Sequence, residues 1–175
     1  MTSCKMCRRE GVSLCGRDRC AAKRRPTTPG VHGPAKISGG GGKSRLSSYG
    51  TQLREKQKAK RLYNVMERQF RRYVEEASRN RGNTSESLVQ LLEMRLDNVV
   101  YRLGWAKTRR QARQIVGHGF VRVNEKTVDI PSFRARVGDV VSIKETKKEK
   151  GIVKSMNQLV EKHETPSWLV FDRSL

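Results

Sequence analysis

Apolar residues recur at helical spacing through the middle of the chain, and they give way to strand-like alternation further on. One stripe, which includes Phe70, Tyr73 and Ala77, predicts an amphipathic helix that stops near Gly82. A second stripe predicts a single helix over residues 84–103. Its apolar positions are Leu88, Leu91, Leu92, Leu96, Val99, Val100 and Leu103. This second stripe is the predicted core of the molecule.

Further along, a capping signal and an alternating stretch predict one more helix and a small sheet. Residues 108–111 (Thr-Arg-Arg-Gln) have the form of a capping box, which opens a short helix. Alternation over residues 120–123, a turn at 124–126 and a second β segment at 140–143 predict a small antiparallel sheet. Apolar positions between residues 152 and 160 predict a last helix, and residues 168–171 form a final apolar run.

Upstream, the apolar pattern is weaker. A basic helix is predicted over residues 49–63, with Ser47 or Ser48 as the N-cap, but it has little to bury and should be marginal without a partner. In the helix that follows, Glu67–Arg71 and Glu75–Arg79 are spaced as i, i+4 ion pairs. The predicted fold class is α+β.

The patterns divide the chain into five predicted parts. They are a Cys-rich knuckle at 1–25, a basic Gly/Pro loop at 26–48, a helical domain at 49–93, a module of helices with an antiparallel hairpin at 94–155, and a helix end with an apolar tail at 156–175.

Charge points to a polyanionic partner. Lys+Arg is 38 against Asp+Glu 17, a formal net charge of +21. No acid occurs between Asp97 and Glu125, nor between Asp18 and Glu55, although an ordinary surface intersperses both signs. Such long cationic stretches favour a nucleic acid as the partner.

The basic helix after residue 108 is the centre of the predicted interface, because its apolar residues face one way and no acid near in sequence is available to pair its arginines. A basic face upstream and the outer face of the adjoining strand extend it. The predicted nucleic-acid-binding residues are Arg24, Arg25, Lys43, Arg45, Arg54, Lys58, Arg61, Arg102, Lys107, Arg109, Arg110, Arg113, His118 and Arg122.

Four cysteines within the first twenty residues predict a metal site. Cys4 and Cys7 form a C-x2-C pair, and Cys15 and Cys20 supply a second pair that closes a tetrahedron. Zinc in a structural, fully ligated site is the favoured interpretation. An iron–sulfur cluster and thiols without a metal are the alternatives.

Other classes find little support in the residues. No apolar run approaches a membrane span, and no signal-peptide core follows Met1, so a cytoplasmic protein without a membrane partner is expected. No catalytic Ser/His/Asp set, carboxylate pair or phosphate loop is evident, which predicts neither an enzyme nor a small-molecule substrate. A zinc-knuckle DNA-binding regulator is disfavoured, since no ββα finger or heptad repeat occurs.

Several motifs together resemble one family. Residues 4–11 (CKMCRREG), 24–26 (RRP), 29–33 (PGVHG), 53–57 (LREKQ), 67–70 (ERQF), 95–104 (RLDNVVYRLG) and 109–113 (RRQAR) occur in the order found in bacterial-type ribosomal protein S4 of the small subunit. The four cysteines match the zinc-binding subset of that family. Members usually carry more residues before the first cysteine and a final strand after the Trp168 segment, so this chain is expected to be a short member or a fragment.

The resemblance implies a protein of the cytoplasmic small ribosomal subunit that binds a multi-helix junction of its RNA. It also implies a role in nucleating subunit assembly and in translational accuracy, with ribosomal protein S5 and other small-subunit proteins as partners. The module at 94–155 looks like the family's RNA-binding domain. That module is also appended to RNA-modifying enzymes, which is the alternative, but the remaining residues leave no room for a catalytic domain.

Overall fold

A computed structural model describes residues 4–17, 19–25, 27–33, 47–147, 151–160 and 163–172. The chain forms two compact units, Met1–Phe70 and Arg71–Leu175. The helices are α1 (Cys4–Glu10), α2 (Ala21–Arg24), α3 (Ser48–Leu62), α4 (Glu67–Arg79), α5 (Thr84–Glu93), α6 (Leu96–Arg102), α7 (Arg109–Gly117) and α8 (Gly151–Val160). The strands are β1 (Val121–Val123), β2 (Lys126–Thr127) and β3 (Val141–Ile143), and a 3-10 turn covers Glu145–Lys147. The predicted α+β class is confirmed.

In the first unit, the thiols form a small buried cluster. Cys7, Cys15 and Cys20 are buried, and Leu14 and Ala22 pack against them. Helix α3 buries none of its residues completely, as its weak apolar pattern predicts. Its N-cap is Ser47, whose side chain accepts a hydrogen bond from the Gly50 amide at 3.1 Å.

The link between α3 and α4 is ionic, and the sequence did not indicate it. Lys56 and Lys60 each donate to the Glu67 carboxylate at 2.6 Å. The predicted Glu67–Arg71 pair is therefore wrong. Within α4, Arg71 pairs with Glu75 at 3.0 Å instead.

The helix predicted over residues 84–103 is two helices, α5 and α6, because the chain is extended at Arg95 (φ −67°, ψ 135°). Arg95 forms an antiparallel bridge with Arg134. The amides of Leu96 and Ala135 donate to the carbonyls of Phe133 and Met94, at 2.8 and 2.9 Å. These bonds to a distant segment replace the helical ones, so the backbone stays satisfied across the break.

The side chain of Arg95 explains why the break occurs there. It is only 1% exposed. Its guanidinium donates to both carboxylate oxygens of Asp97, at 3.0 and 2.6 Å, and to the Tyr73 hydroxyl at 2.8 Å. A buried guanidinium needs such partners, which an uninterrupted surface helix would not give it.

The sheet has the order β2-β1-β3 and is antiparallel throughout, as the alternation predicted. Its first turn is the residue pair Asn124 and Glu125, with φ values of 47° and 65°. Two consecutive left-handed residues are typical of a two-residue hairpin turn. In β1, Val121 and Val123 face the core, whereas Arg122 lies on the other side.

The main core lies in the second unit, where α6, α7 and β1 meet. The predicted stripe supplies Leu96, Val99, Val100 and Leu103, and α8 adds Val153 and Met156. Residues 163–172 form no helix or strand, but Leu169 and Phe171 pack against the core while Trp168 is half exposed. Within the described residues, no helix is both long enough and apolar enough to cross a membrane.

Candidate nucleic-acid interface and metal centre

The knuckle brings its thiols together. The Sγ atoms of Cys4, Cys15 and Cys20 lie within 4.8 Å of one another. Cys7, which is fully buried, interacts with the side chains of Cys20 and Cys15. Three of the four predicted ligands therefore form one close group, and Cys7 packs against two of them, Cys15 and Cys20. The possible donors are all thiols, a set that structural zinc prefers. Thiols this close together can bind one zinc ion at the usual Zn–S distance of about 2.3 Å.

Two of the thiols differ in acidity. Burial raises the pKa of Cys7 to about 11, and its hydrogen bonds with Cys20 and Cys15 act in the same direction. Burial also opposes ionisation of Cys20, but hydrogen bonds from the Ser13 side chain and the Ala22 amide outweigh it and lower the pKa to about 7. Cys20 is thus better prepared than Cys7 to supply a thiolate near neutral pH.

Basic residues surround the knuckle. Arg8 is committed to the following loop, where it donates to Thr27 O at 2.9 Å and to Thr28 O at 3.2 Å. Arg24 and Arg25 are exposed, and both line a cavity of about 410 Å³ over α1 and α2. The predicted residues Lys43 and Arg45 lie outside the described residues.

The basic face predicted on α3 is largely used within the first unit. Arg54 Nη1 donates to Glu10 Oε1 at 3.2 Å, and Arg61 bonds the same oxygen. The Glu10 side chain is fully buried, and its Oε2 has no hydrogen-bond partner among the described residues. The third member of the face, Lys58, pairs with Glu55 at 2.6 Å. This arrangement ties the knuckle to α3.

Helix α7 has the predicted cap and the predicted two faces. Thr108 Oγ1 accepts from the Gln111 amide at 3.2 Å, and Gln111 Oε1 accepts from the Lys107 amide at 3.0 Å. Ala112, Ile115 and Val116 are buried. Lys107 and Arg110 are exposed, and neither side chain meets an acid among the described residues.

The other arginines near α7 have partners that the sequence did not indicate. Arg102 donates to both oxygens of Glu93, at 2.9 and 2.6 Å. Arg109 Nε donates to Asn98 Oδ1 at 2.8 Å, and its guanidinium lies 4.4 Å from the centre of the Tyr101 ring. Arg102 is therefore paired with an acid that lies upstream of the acid-free window.

Arg113 faces a buried carboxylate. Burial raises the pKa of Asp97, while the hydrogen bonds from Arg95 and the charges of Arg95 and Arg113 oppose the rise. Asp97 lies in the first turn of α6, 16 residues before Arg113, so sequence spacing alone did not reveal this interaction.

The last two predicted residues, His118 and Arg122, lie at the end of α7 and on β1. Arg122 donates to the carbonyl of Glu125 at 2.7 Å at the hairpin turn. His118 is exposed at the end of α7, and its carbonyl accepts from Lys147 Nζ. Lys147 also lies 4.5 Å from the Phe120 ring centre. Sequence reasoning missed Lys147, because a lysine far along the chain gives no local signal of this contact.

Two family models match adjoining parts of the chain. The ribosomal protein S4/S9 N-terminal domain matches residues 2–93, and the S4 domain matches residues 94–141. A small ribosomal subunit protein uS4 from Dictyoglomus turgidum is 50% identical, over 97% of this chain and 81% of the relative. The proteins of the same name from Acetivibrio thermocellus (48%; 97% and 81%) and Thermoanaerobacter pseudethanolicus (49%; 98% and 82%) are similarly close.

Proposed function

This chain belongs to the ribosomal protein S4 family, and from that premise we propose that it is a structural protein of the cytoplasmic small ribosomal subunit that binds the subunit's RNA. The similarity of almost the whole chain to proteins named small ribosomal subunit protein uS4 carries this conclusion. The net charge of +21 supports it, since ribosomal RNA is the polyanion of that particle.

The proposed RNA-binding surface has its centre at the start of α7. There the exposed Lys107 and Arg110 stand beside Arg109 and the half-buried Arg113. Structured RNA is recognised mostly through its shape and its phosphates, for which a row of guanidiniums supplies bidentate donors. Arg122 on β1 extends this surface within the second unit. The exposed Arg24 and Arg25 of the knuckle are a separate proposed RNA contact of the first unit.

The more specific role of the protein is inferred from its family. We propose that the protein binds a multi-helix junction of the RNA, promotes early assembly of the subunit and contributes to translational accuracy. Ribosomal protein S5 and other small-subunit proteins are the proposed neighbours. The role is structural rather than catalytic.

Zinc is the proposed ion of the knuckle. Cys4, Cys7, Cys15 and Cys20 would hold it with four thiolates, which leaves no open position for catalysis. The bound ion would fix α1 and α2 around the thiols, and the neighbouring Lys5 and Arg8 would offset the negative charge of the thiolate cluster.

Association with ribosomal particles tests the proposal. The tagged full chain, expressed in bacterial cells, should sediment with small subunits and stay there after a moderate-salt wash, because many phosphate contacts act together. An unrelated protein of similar size and charge serves as the control. Recovery only in the soluble fraction would overturn the ribosomal assignment.

A further inference from the structure

The side chain of Arg109 is held in one orientation by the neighbouring helix. Its Nε donates to Asn98 Oδ1 at 2.8 Å, and its guanidinium lies 4.4 Å from the Tyr101 ring centre. Asn98 and Tyr101 stand one turn apart on α6, so both contacts come from one rigid element. We propose that Asn98 and Tyr101 are positioning residues, which set the Arg109 guanidinium for an RNA phosphate. This inference rests on the proposed RNA-binding function.

Asn98 is itself fixed by a carboxylate. Its Nδ2 donates to the Glu93 side chain at 2.7 Å and to the Glu93 carbonyl at 3.1 Å. Because the amide nitrogen is engaged there, the amide oxygen is turned towards Arg109. The same carboxylate holds Arg102 through two hydrogen bonds, at 2.9 and 2.6 Å. Glu93 at the end of α5 thus orients the amide that orients Arg109.

The arrangement suits anion recognition for an energetic reason. An arginine side chain has considerable rotamer freedom, and a phosphate that binds it must restrict that freedom. A guanidinium already fixed by a ring and an amide loses less entropy when it binds. The Tyr101 ring lies 4.4 Å from the guanidinium and limits its movement, and the Asn98 bond occupies Nε, which carries one of its five N–H donors.

A plain structural tie between α6 and α7 would use the same contacts, so the test must separate the two roles. The probe is a full-length transcript of small-subunit ribosomal RNA, titrated with the full chain over a series of salt concentrations. The variants are Arg109→Ala, Asn98→Ala, Tyr101→Leu and the matched control Tyr101→Phe, which keeps the ring. The variants at Asn98 and Tyr101 are also combined with Arg109→Ala, and thermal unfolding is recorded for every variant.

The proposal predicts a distinct result for each variant. Arg109→Ala weakens binding about tenfold, as loss of one charge-assisted contact does, and reduces the salt slope by about one. Asn98→Ala weakens it by up to about tenfold, and Tyr101→Leu by roughly threefold, with unchanged salt slopes because the charge remains. Tyr101→Phe binds like the wild type. In the Arg109→Ala background, the changes at Asn98 and Tyr101 have no further effect.

Equal losses with and without Arg109 would overturn the positioning role. Wild-type binding by Arg109→Ala would also overturn it, while leaving the proposed function intact. If the wild-type chain itself did not bind the transcript, the proposed function would fail instead. Should Asn98→Ala unfold, the comparison of Tyr101→Leu with Tyr101→Phe still decides the matter, since neither removes a buried amide.

Discussion

At the scale of single residues, buried charge decides local structure. The Arg95 guanidinium is enclosed by Asp97 and Tyr73, and the helix breaks where Arg95 turns inward. The sequence predicted the leucine stripe on both sides of the break, but not the break itself. An arginine between apolar positions looks like a surface residue, because its partners lie in other segments. The closeness of Cys4, Cys15 and Cys20 was predictable, since it depends on spacing within one short segment.

The Arg95–Asp97 pair gives a test of this account. Arg95→Met should destabilise the second unit by about 3–5 kcal/mol at pH 7, because it leaves a carboxylate buried without its partner. The free energy of unfolding in urea measures the loss. The double variant Arg95→Met/Asp97→Asn should lose less than Arg95→Met alone, since no charge is then buried. A loss under about 1 kcal/mol for Arg95→Met would contradict the argument.

At the scale of elements, local signals predicted the ends of helices and strands better than their connections. Ser47 and Thr108 cap their helices as predicted, because a cap is satisfied by amides within the next few residues. The hairpin turn at Asn124 and Glu125 was predictable for the same reason. The pairing of Glu67 with Lys56 and Lys60 was not, since the two lysines and the carboxylate belong to different helices and are not spaced as neighbours on one helix.

The α3–α4 link has a defined pH dependence. Hydrogen bonds from Lys56 and Lys60 lower the pKa of Glu67 from 4.5 to about 2. A lowered carboxyl pKa stabilises the fold above the unfolded value, and that stability is lost as the pH falls through the folded value. Glu67→Gln should therefore lower the free energy of unfolding at pH 7 by about 0.5–1 kcal/mol, since the pair is half exposed.

Unfolding followed from pH 7 down to pH 2 checks this expectation. The difference between the wild type and Glu67→Gln should shrink below about pH 4.5. Glu75→Gln, which removes the Arg71 pair within α4, is the matched control and should have a smaller effect. A difference that is constant over the whole range would show that charge does not act at Glu67.

At the scale of the whole molecule, the ion proposed for the knuckle and the apolar core are expected to stabilise different units. The double variant Cys4→Ser/Cys7→Ser should lose one equivalent of metal. Either this variant or treatment with a chelator should increase amide hydrogen exchange in α1 and α2. Since Glu10 joins the knuckle to Arg54 and Arg61, exchange in α3 should rise as well. The amides of α6 and α7 should remain protected by their apolar core. Loss of protection there would contradict the proposed limits of the metal's effect.

The net charge of +21 can be read directly from the sequence, and it predicted a nucleic acid as the class of partner. It did not show which cations remain available. Arg54, Arg61 and Arg102 pair with acids that lie elsewhere in the chain, whereas Lys107 and Arg110 stay exposed. Those two residues are therefore the most direct probes of the proposed interface.

The most direct measurement is the affinity of the full chain for a small-subunit ribosomal RNA transcript as a function of salt. The logarithm of affinity should fall linearly with the logarithm of salt concentration, with a slope of about −0.7 to −0.9 per phosphate contacted. Lys107→Ala with Arg110→Ala should weaken binding and reduce the magnitude of that slope by about two, while the far-UV circular dichroism stays unchanged. A nearly flat salt response, or a double variant with the wild-type affinity and slope, would contradict the account.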